Sequence, residues 1–293
     1  MGVQLISNKY DFAIIGGDLR QAYMFLDLID KGYSVVVYGF SPSSIIKEDA
    51  FGKSLEEVMS SSRNLIIAIP FSVDKVHLKS QTNQADLTIE NFINNLSSYH
   101  RIYGGSFNHE LISSFDKKQV FYCDLMKKEE IMLYNSIATA EGAIAEALIN
   151  STCNLHDSSI LVLGFGRCGK TLANKLKGLS KNVNIAIRSS RARFEALTLG
   201  FNTVNFKDLK NHIDQFDFVF NTVPKLVLID EILDKTKIDL TIIDIASSPG
   251  GIDYNYAEKI NRNAKLCLGL PGKYSPKSSA EFLSHCILSD LRK

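Results

Sequence analysis

The chain has 293 residues, 45% of them hydrophobic and 22% charged, with a net charge of +1; this is the balance of an ordinary globular protein, long enough for two domains. A charge so near zero gives no basic field for nucleic acid or an acidic membrane, and the longest apolar runs, such as Leu65 to Pro70, are too short to span a bilayer. The five cysteines (Cys123, Cys153, Cys168, Cys267 and Cys286) are scattered and lack C-x-x-C spacing, which argues for free thiols in a reducing cytoplasm and against a bound metal.

In chain order, Met1–Ser7 has neither a basic n-region nor a long apolar stretch, so no secretory signal is expected. Ile6 stands where N-myristoylation needs Ser or Thr. Asp11–Ile15 reads as a strand, followed by a Gly16-Gly17-Asp18 turn and a helix from about Arg20 to Asp30. Further strands are predicted at Ser34–Tyr38, Asn64–Ile69, His100–Tyr103 and Val120–Tyr122, with helices near Ile89–Leu96 and His109–Ser114. Strands alternating with helices imply a parallel sheet covered on both faces. Ser72–Thr88 is polar and without periodicity, a candidate mobile loop at the carboxyl edge of that sheet. Glu130–Asn150 reads as a long connecting helix rich in small residues. Strands then follow at Ile160–Leu163, Val183–Ile187, Asn202–Val204, Phe218–Asn221, Thr241–Ile245 and Lys265–Leu268, and a last helix at Ser278–Leu291. The expected fold is α/β, with two doubly wound parallel-sheet domains: a flavodoxin-like or Rossmann N-terminal domain (1–133) and a Rossmann NAD(P)-binding domain (151–274), with a cleft between them. Residues 134–150 would connect them, and 275–293 would return as a helix to the first domain.

The most specific segment is Ile160-Leu-Val-Leu-Gly164-Phe-Gly166-Arg-Cys-Gly169. An apolar strand runs into G-x-G-x-x-G and then into a helix, the context a dinucleotide fingerprint requires. Gly164 permits the sharp turn, Gly166 lets a pyrophosphate approach the backbone, and Gly169 lets the helix sit close to the strand. The free N–H groups of the helix start, around Phe165, Arg167 and Cys168, face the phosphates. Cys168 is either an exposed thiol or a small turn filler.

The following strand ends at Ile187. An NAD site would place Asp or Glu there for the ribose 2′-hydroxyl. This chain has Arg188-Ser189-Ser190-Arg191 instead, and guanidinium and hydroxyl groups suit a 2′-phosphate, so NADP is the expected cofactor. The plain alternative is that both arginines are solvated helix-start charges. Asn221-Thr222-Val223-Pro224 is expected beside the nicotinamide ribose. Ala246 and Ser247, which open the Ser247-Ser-Pro-Gly250-Gly251 segment, are expected under the nicotinamide.

Several of these segments together carry a family resemblance. They are Asp11-Phe-Ala-Ile-Ile-Gly-Gly-Asp-Leu-Arg-Gln21, Asn135-Ser-Ile-Ala-Thr-Ala-Glu-Gly-Ala143, Val162-Leu-Gly-Phe-Gly-Arg-Cys-Gly-Lys170, Asn221-Thr-Val-Pro224, Asp244-Ile-Ala-Ser-Ser-Pro-Gly-Gly-Ile-Asp253 and Leu268-Gly-Leu-Pro-Gly-Lys273. The sequence resembles the dipicolinate synthase A subunit family of spore-forming bacteria. The resemblance implies an NADP-dependent dehydrogenase that converts the product of the dihydrodipicolinate-synthase step of the lysine pathway to pyridine-2,6-dicarboxylate. It also implies a cytoplasmic setting in the sporulating mother cell and a partner, the flavoprotein-like B subunit of the synthase. A homo-oligomer is left open.

Oxidation of a cyclic dicarboxylate needs a hydride acceptor, a base, and cations or N–H groups for two carboxylates. Arg20, after the first strand's turn, is the candidate clamp for one carboxylate, with N–H groups of Gly16–Asp18 beside it. Asp18 would orient Arg20, act as a base, or simply cap the helix. Ser136 and Thr139, at i, i+3 on the connecting helix, are candidate substrate contacts, although such hydroxyls commonly bond back to their own helix. Gly250 and Gly251 would allow close backbone approach by substrate. Lys273 is a candidate for the second carboxylate or for proton transfer, with Lys277 nearby. His109 is the one histidine at a predicted strand-to-helix junction and is shortlisted as a base, with a surface histidine at a helix start as the plainer and favoured reading. Two alternatives stand beside the synthase reading. One is a different two-domain hydroxy- or amino-acid dehydrogenase. The other is a non-catalytic NADP-binding protein that scaffolds or regulates a flavin partner.

Overall fold

The computed structural model describes residues 9–292. The reading of Met1–Ser7 therefore lies outside the described residues. The chain divides into two compact units: residues 9–132 with 276–292, and residues 133–275.

In the first unit, β1 (Tyr10–Ile15), α1 (Leu19–Asp30), β2 (Val35–Tyr38), α2 (Leu55–Ser60), β3 (Ser62–Ile67), α3 (Ile89–Asn94), β4 (Arg101–Gly104), α4 (His109–Lys117) and β5 (Phe121–Asp124) follow one another. Every strand pairing is parallel, and the strand order is β2-β1-β3-β4-β5. This is the flavodoxin-like order, whose switch point lies between β1 and β3. Side-chain alternation along β1 explains the two-sided core. Phe12 and Ile14 join Met24, Leu28 and Ile287 on one face, whereas Ala13 and Ile15 join Val58, Phe92 and Phe115 on the other.

Helix α5 (Glu129–Ile149) carries the chain into the second unit. There β6 (Ser159–Leu163), α6 (Arg167–Lys177), β7 (Asn182–Ile187), α7 (Ser190–Thr198), β8 (Asn202–Asn205), β9 (Phe218–Asn221), α8 (Asp230–Leu233), β10 (Thr241–Asp244), α9 (Tyr254–Lys259), β11 (Asn263–Leu266) and α10 (Leu270–Tyr274) form a second parallel sheet ordered β11-β10-β9-β6-β7-β8. Numbered within the unit, this is the 3-2-1-4-5-6 Rossmann order read from the other edge. The last helix, α11 (Pro276–Leu291), packs on α1 in the first unit through Ala280, Leu283 and Ile287.

Differences from the sequence reading have local causes. Helix α2 was not expected, although Ser54 and Glu57 mark its start: the Ser54 hydroxyl accepts the Glu57 N–H. Strand β4 begins at Arg101 rather than His100, because His100 is buried with its ring bonded to Met59 O and Ser97 N–H. Strand β3 stops at Ile67, ahead of Ile69-Pro70. Residues 72–88 are not a free polar loop. Leu78 and Leu87 are buried, and His77 and Thr88 form an antiparallel bridge. The backbone of Gln81 donates to Gly39 O at 3.0 Å, and Gly17 donates to Lys79 O at 2.7 Å. The segment is thereby tied to the turns that follow β1 and β2.

Gly16 tests this tie. Its φ is +63°, and a Cβ there would lie 2.4 Å from Lys79 O. Gly32 has φ +86° but nothing within 4 Å of such a Cβ. Gly16→Ala should destabilise the protein by at least about 1–3 kcal/mol and open residues 72–88 to protease, because backbone strain and a backbone clash add. Gly32→Ala should cost only the left-handed strain, about 1–2 kcal/mol. Denaturant melts and limited proteolysis of both variants check this, and equal effects would mean that the 72–88 segment does not bear on Gly16.

Candidate functional site

The glycine turn after β6 has the geometry a pyrophosphate needs. Gly164 takes φ +94°, and a Cβ there would lie 2.7 Å from Thr222 Oγ1. Gly169 lies so close to the turn that its Cβ would meet Gly164 O at 2.4 Å. Gly166 is the opposite case. It caps α6 without a side-chain hydrogen bond, is exposed, and a Cβ there would meet nothing within 4 Å. Two glycines are thus required by packing, while the third faces open space at a helix N-terminus, where N–H donors and the helix dipole favour an anion. Phe165 is buried, Arg167 exposed, and the half-buried Cys168 has its thiol pKa pushed up by burial. A raised thiol pKa leaves less thiolate, which favours the turn-filler reading of Cys168.

Beside this turn is a cavity of about 320 Å³ whose walls include Phe165, Arg188, Ser189, Phe206, Val223 and Pro224. A smaller one of about 60 Å³ is lined by Arg188, Ser189, Ser190, Arg193, Val204 and Asn205. The Arg188 guanidinium lies over the Phe206 ring, 5.0 Å from its centroid, which fixes its plane. Ser189 caps α7 by accepting the Ala192 N–H at 3.2 Å. With the cap at Ser189, Ser190 and Arg193 fall at i, i+3 on one helix face. Arg193 therefore lines the small cavity and Arg191 lines neither. The sequence reading missed Arg193 because it placed no cap.

The carboxyl ends of β9 and β10 are organised by one buried side chain. Asp244, fully buried, accepts Asn221 Nδ2 at 2.9 Å and Ala246 N–H at 2.9 Å on one oxygen, and Gly251 N–H at 2.7 Å and the Tyr254 hydroxyl at 2.8 Å on the other. Burial and Asp244 together push the Tyr254 phenol up, so it remains a donor. Asn221 Oδ1 receives the Val223 N–H, and Thr222 donates to Leu163 O at 2.8 Å, tying Asn221–Pro224 to the glycine turn. Ser247 is exposed on this framework and Ala246 buried. Gly250 and Gly251 correct an expectation: both are buried, and their missing side chains serve the protein. A Cβ at Gly250 would meet Asp244 Oδ2 at 2.6 Å, and one at Gly251 would meet Asn221 Nδ2 at 2.5 Å. They make room for the Asp244 network, not for substrate.

Other expected substrate residues are also committed elsewhere. Ser136, 1% exposed, donates to Leu133 O and shares a 2.7 Å bond with Thr171 Oγ1, fastening α5 to α6. Thr139 donates back to Asn135 O at 2.8 Å. Lys273 is ion-paired with Glu146, which also takes the Tyr274 hydroxyl at 2.9 Å and Lys265 Nζ at 3.2 Å. The hydrogen bonds from Glu146 and Tyr274 raise the Lys273 amine, so it stays protonated and is no proton acceptor. Lys277 is solvent-exposed, 3.9 Å from Glu281.

In the first unit, Arg20 is 5% exposed and grips Asp18 with Nε at 2.9 Å and Nη2 at 2.8 Å, while donating to Ile69 O at 2.5 Å. Lys79 Nζ reaches the same carboxylate at 2.7 Å. Burial would raise the Asp18 carboxyl, but Arg20 and Lys79 outweigh it and hold it well below the usual carboxylate range. Asp18 is thus the orienting partner and helix cap among its three readings, and a poor base. The turn's own N–H groups are occupied: Gly16 donates to Tyr38 O, Gly17 to Lys79 O, and Asp18 to Gln21 Oε1. His109 stands exposed in the first turn of α4. Among the described residues, no group of three or more His, Cys, Asp or Glu could hold a metal ion, and no helix is long and apolar enough to cross a membrane.

Two parallel-sheet units, one with the Rossmann order and a glycine turn open to a pyrophosphate, define a dehydrogenase-type protein that takes a nicotinamide nucleotide. Residues 11–126 match the family of the dipicolinate synthase A subunit N-terminal domain, and residues 144–263 match the shikimate / quinate 5-dehydrogenase family. The dipicolinate synthase A subunit of Bacillus subtilis strain 168 is 29% identical over 282 residues, 95% of this chain and 94% of that protein. The crystal structure of its counterpart from Bacillus halodurans superposes with a TM-score of 0.87 at 27% identity, covering 99% of both chains. A shorter stretch, 24% of this chain and 26% of the relative, is 38% identical to shikimate dehydrogenase (NADP(+)) of Staphylococcus aureus strain RF122. Over nearly its whole length the chain is similar to dipicolinate synthase A subunits.

Two expectations follow from the geometry. Because a side chain at Gly166 would clash with no protein atom, Gly166→Val should fold normally and lose dinucleotide binding; calorimetry on the folded variant checks it, and retained tight binding would place the nucleotide elsewhere. Burial works to raise the Glu146 carboxyl, yet Lys273, Tyr274 and Lys265 bring it down from 4.5 to about 2. A depressed carboxyl stabilises the fold fully above about pH 4.5 and loses that contribution as pH falls toward 2. Glu146→Gln should therefore cost about 1–3 kcal/mol at neutral pH, with the gap to wild type shrinking in acid melts. A gap independent of pH would deny Glu146 this role.

Proposed function

We propose that the chain is an NADP-dependent dehydrogenase that oxidises the cyclic dicarboxylate produced by the dihydrodipicolinate-synthase step to pyridine-2,6-dicarboxylate, in the cytoplasm of a sporulating mother cell and together with a flavoprotein-like B subunit. The observation that carries the NADP part is the small cavity at the end of β7, with Arg188 and Arg193 on its walls and no carboxylate among its lining residues. A ribose 2′-hydroxyl calls for a carboxylate there, whereas a 2′-phosphate calls for guanidinium groups. The similarity to dipicolinate synthase A subunits over 95% of the chain supports the substrate.

The nicotinamide, when bound, supplies the hydride acceptor. The α6 N-terminus beside Gly166 holds the pyrophosphate, Arg188 braced on Phe206 meets the adenosine end, and the Asp244 network holds the 246–251 segment rigid for the other end. With Asp18 and Lys273 tied in ion pairs, His109 remains the candidate base in this reading. An aromatic product favours the reaction, so positioning carries much of the catalysis. The scaffold alternative keeps one point in its favour: two of the three candidate catalytic side chains, Asp18 and Lys273, are held in ion pairs. Nicotinamide reduction measured with the dicarboxylate, in the presence and absence of the purified flavoprotein-like partner, decides. No turnover under either condition would leave the scaffold reading.

Arg188→Ala and Arg193→Ala should each weaken NADP⁺ binding by about 1.5–3 kcal/mol, the range of a charge-assisted hydrogen bond, and leave NAD⁺ binding unchanged. Arg191→Ala should alter neither. Equal losses for both cofactors, measured by titration, would refute recognition of the 2′-phosphate.

A further inference from the structure

The two cavities beside the glycine turn share a wall that belongs neither to that turn nor to α7. It is made by the residues that end β8 and follow it. Val204 and Asn205 line the small cavity, Phe206 lines the larger one, and Arg188 lines both. The sheet register sets this meeting. Strands β7 and β8 run parallel with Ile187 opposite Asn205, so the next residue on each, Arg188 and Phe206, leave the sheet side by side. The guanidinium then lies over the ring, 5.0 Å from its centroid.

The ring is the fixed member of this pair. Phe206 is half-buried and packs on the core cluster that holds Ala186, Leu209 and Val219. Its backbone is held by Asn205, whose side chain accepts the Lys207 N–H at 2.9 Å. Arg188 is exposed, and among the described residues its guanidinium enters no ion pair or hydrogen bond, so the ring is what orients it. A cation held by a π face spends none of its N–H donors, whereas one held by a carboxylate would. Arg188 is therefore oriented and still has its donors free for an anion.

We infer that Phe206 is a specificity-determining residue: it positions Arg188 for the 2′-phosphate and through it sets the preference for NADP⁺ over NAD⁺. This deepens the proposed function and rests on its reading of the cofactor. A phenyl ring cannot itself tell a 2′-phosphate from a 2′-hydroxyl, so its effect on the choice runs through the arginine. An unsupported arginine gives up rotamer freedom when it grips a phosphate, and one already held against a ring gives up less. Phe206 also walls the larger cavity, so truncating it removes surface that either cofactor can touch. The loss common to both cofactors cancels in the ratio of their affinities, and the selective loss remains.

The test is titration of NADP⁺ and NAD⁺ into the full-length chain, wild type and variants. Phe206→Leu and Phe206→Met keep apolar bulk without a π face, and each should lower the ratio of NADP⁺ to NAD⁺ affinity about two- to fivefold, the yield of an exposed cation–π contact. Phe206→Tyr keeps the π face and should hold the wild-type ratio. In an Arg188→Ala background, Phe206→Leu should leave the ratio where Arg188→Ala alone puts it, because a double-mutant cycle isolates what the two residues share. Binding of NAD⁺ reports that each variant is folded. A ratio unchanged by Phe206→Leu and Phe206→Met, lowered as much by Phe206→Tyr, or lowered further on top of Arg188→Ala would overturn the role of Phe206 and leave the proposed cofactor standing. A wild type without preference for NADP⁺ would overturn the proposed cofactor and this inference with it.

Discussion

Each unit is organised around one carboxylate that sits where the strands end. In the second unit Asp244 gathers four neutral donors, from β9, from the 246–251 segment and from α9. In the first, Asp18 gathers two cations, from α1 and from the segment after β3. Loops at the carboxyl edge of a parallel sheet have no ladder to hold them, so something else must fix their backbone. A buried acceptor with two oxygens can bind several donors at once, and leaving it unpaired would be costly. The two solutions differ in electrostatic outcome. Neutral donors leave the Asp244 corner anionic and rigid, which suits a framework. Two cations against one carboxylate leave the Asp18 corner positive.

This arrangement also explains why residues chosen for their chemistry were committed elsewhere. Ser136, Lys273, Gly250 and Gly251 have the residue types that a substrate site uses, but each serves an internal contact: a hydroxyl pair across two helices, an ion pair to Glu146, and room for Asp244. Residue type and position after a strand are shared by ligand contacts and by the contacts that hold loops in place. Only the partner distinguishes them.

What the sequence made legible was whatever is local. Both sheets, their parallel sense and the glycine turn follow from apolar runs, glycine spacing and helix signals within a few residues. Arg193 was recoverable as well, since a cap at Ser189 fixes the helix phase that pairs it with Ser190. Lys79 was not. It lies 61 residues from Asp18 in the chain, in a stretch with no periodic pattern, and only the return of that stretch over the β1 turn brings the two together. Asp244 was visible as a strand end but not as the hub it is, because its four partners come from positions 221, 246, 251 and 254.

The packing of α11 on α1 has a consequence for how the protein is made. The first unit is discontinuous: residues 9–132 need 276–292 to complete them. On a ribosome that emits the chain from its N-terminus, the second unit is uninterrupted and can close as soon as residue 275 has emerged. The first must wait, with the apolar side of α1 around Ala22, Phe25 and Leu28 uncovered, until the last helix is released. The order of synthesis and the order of completion are therefore opposite, and during that interval the exposed strip on α1 is the part of the nascent chain most in need of a chaperone.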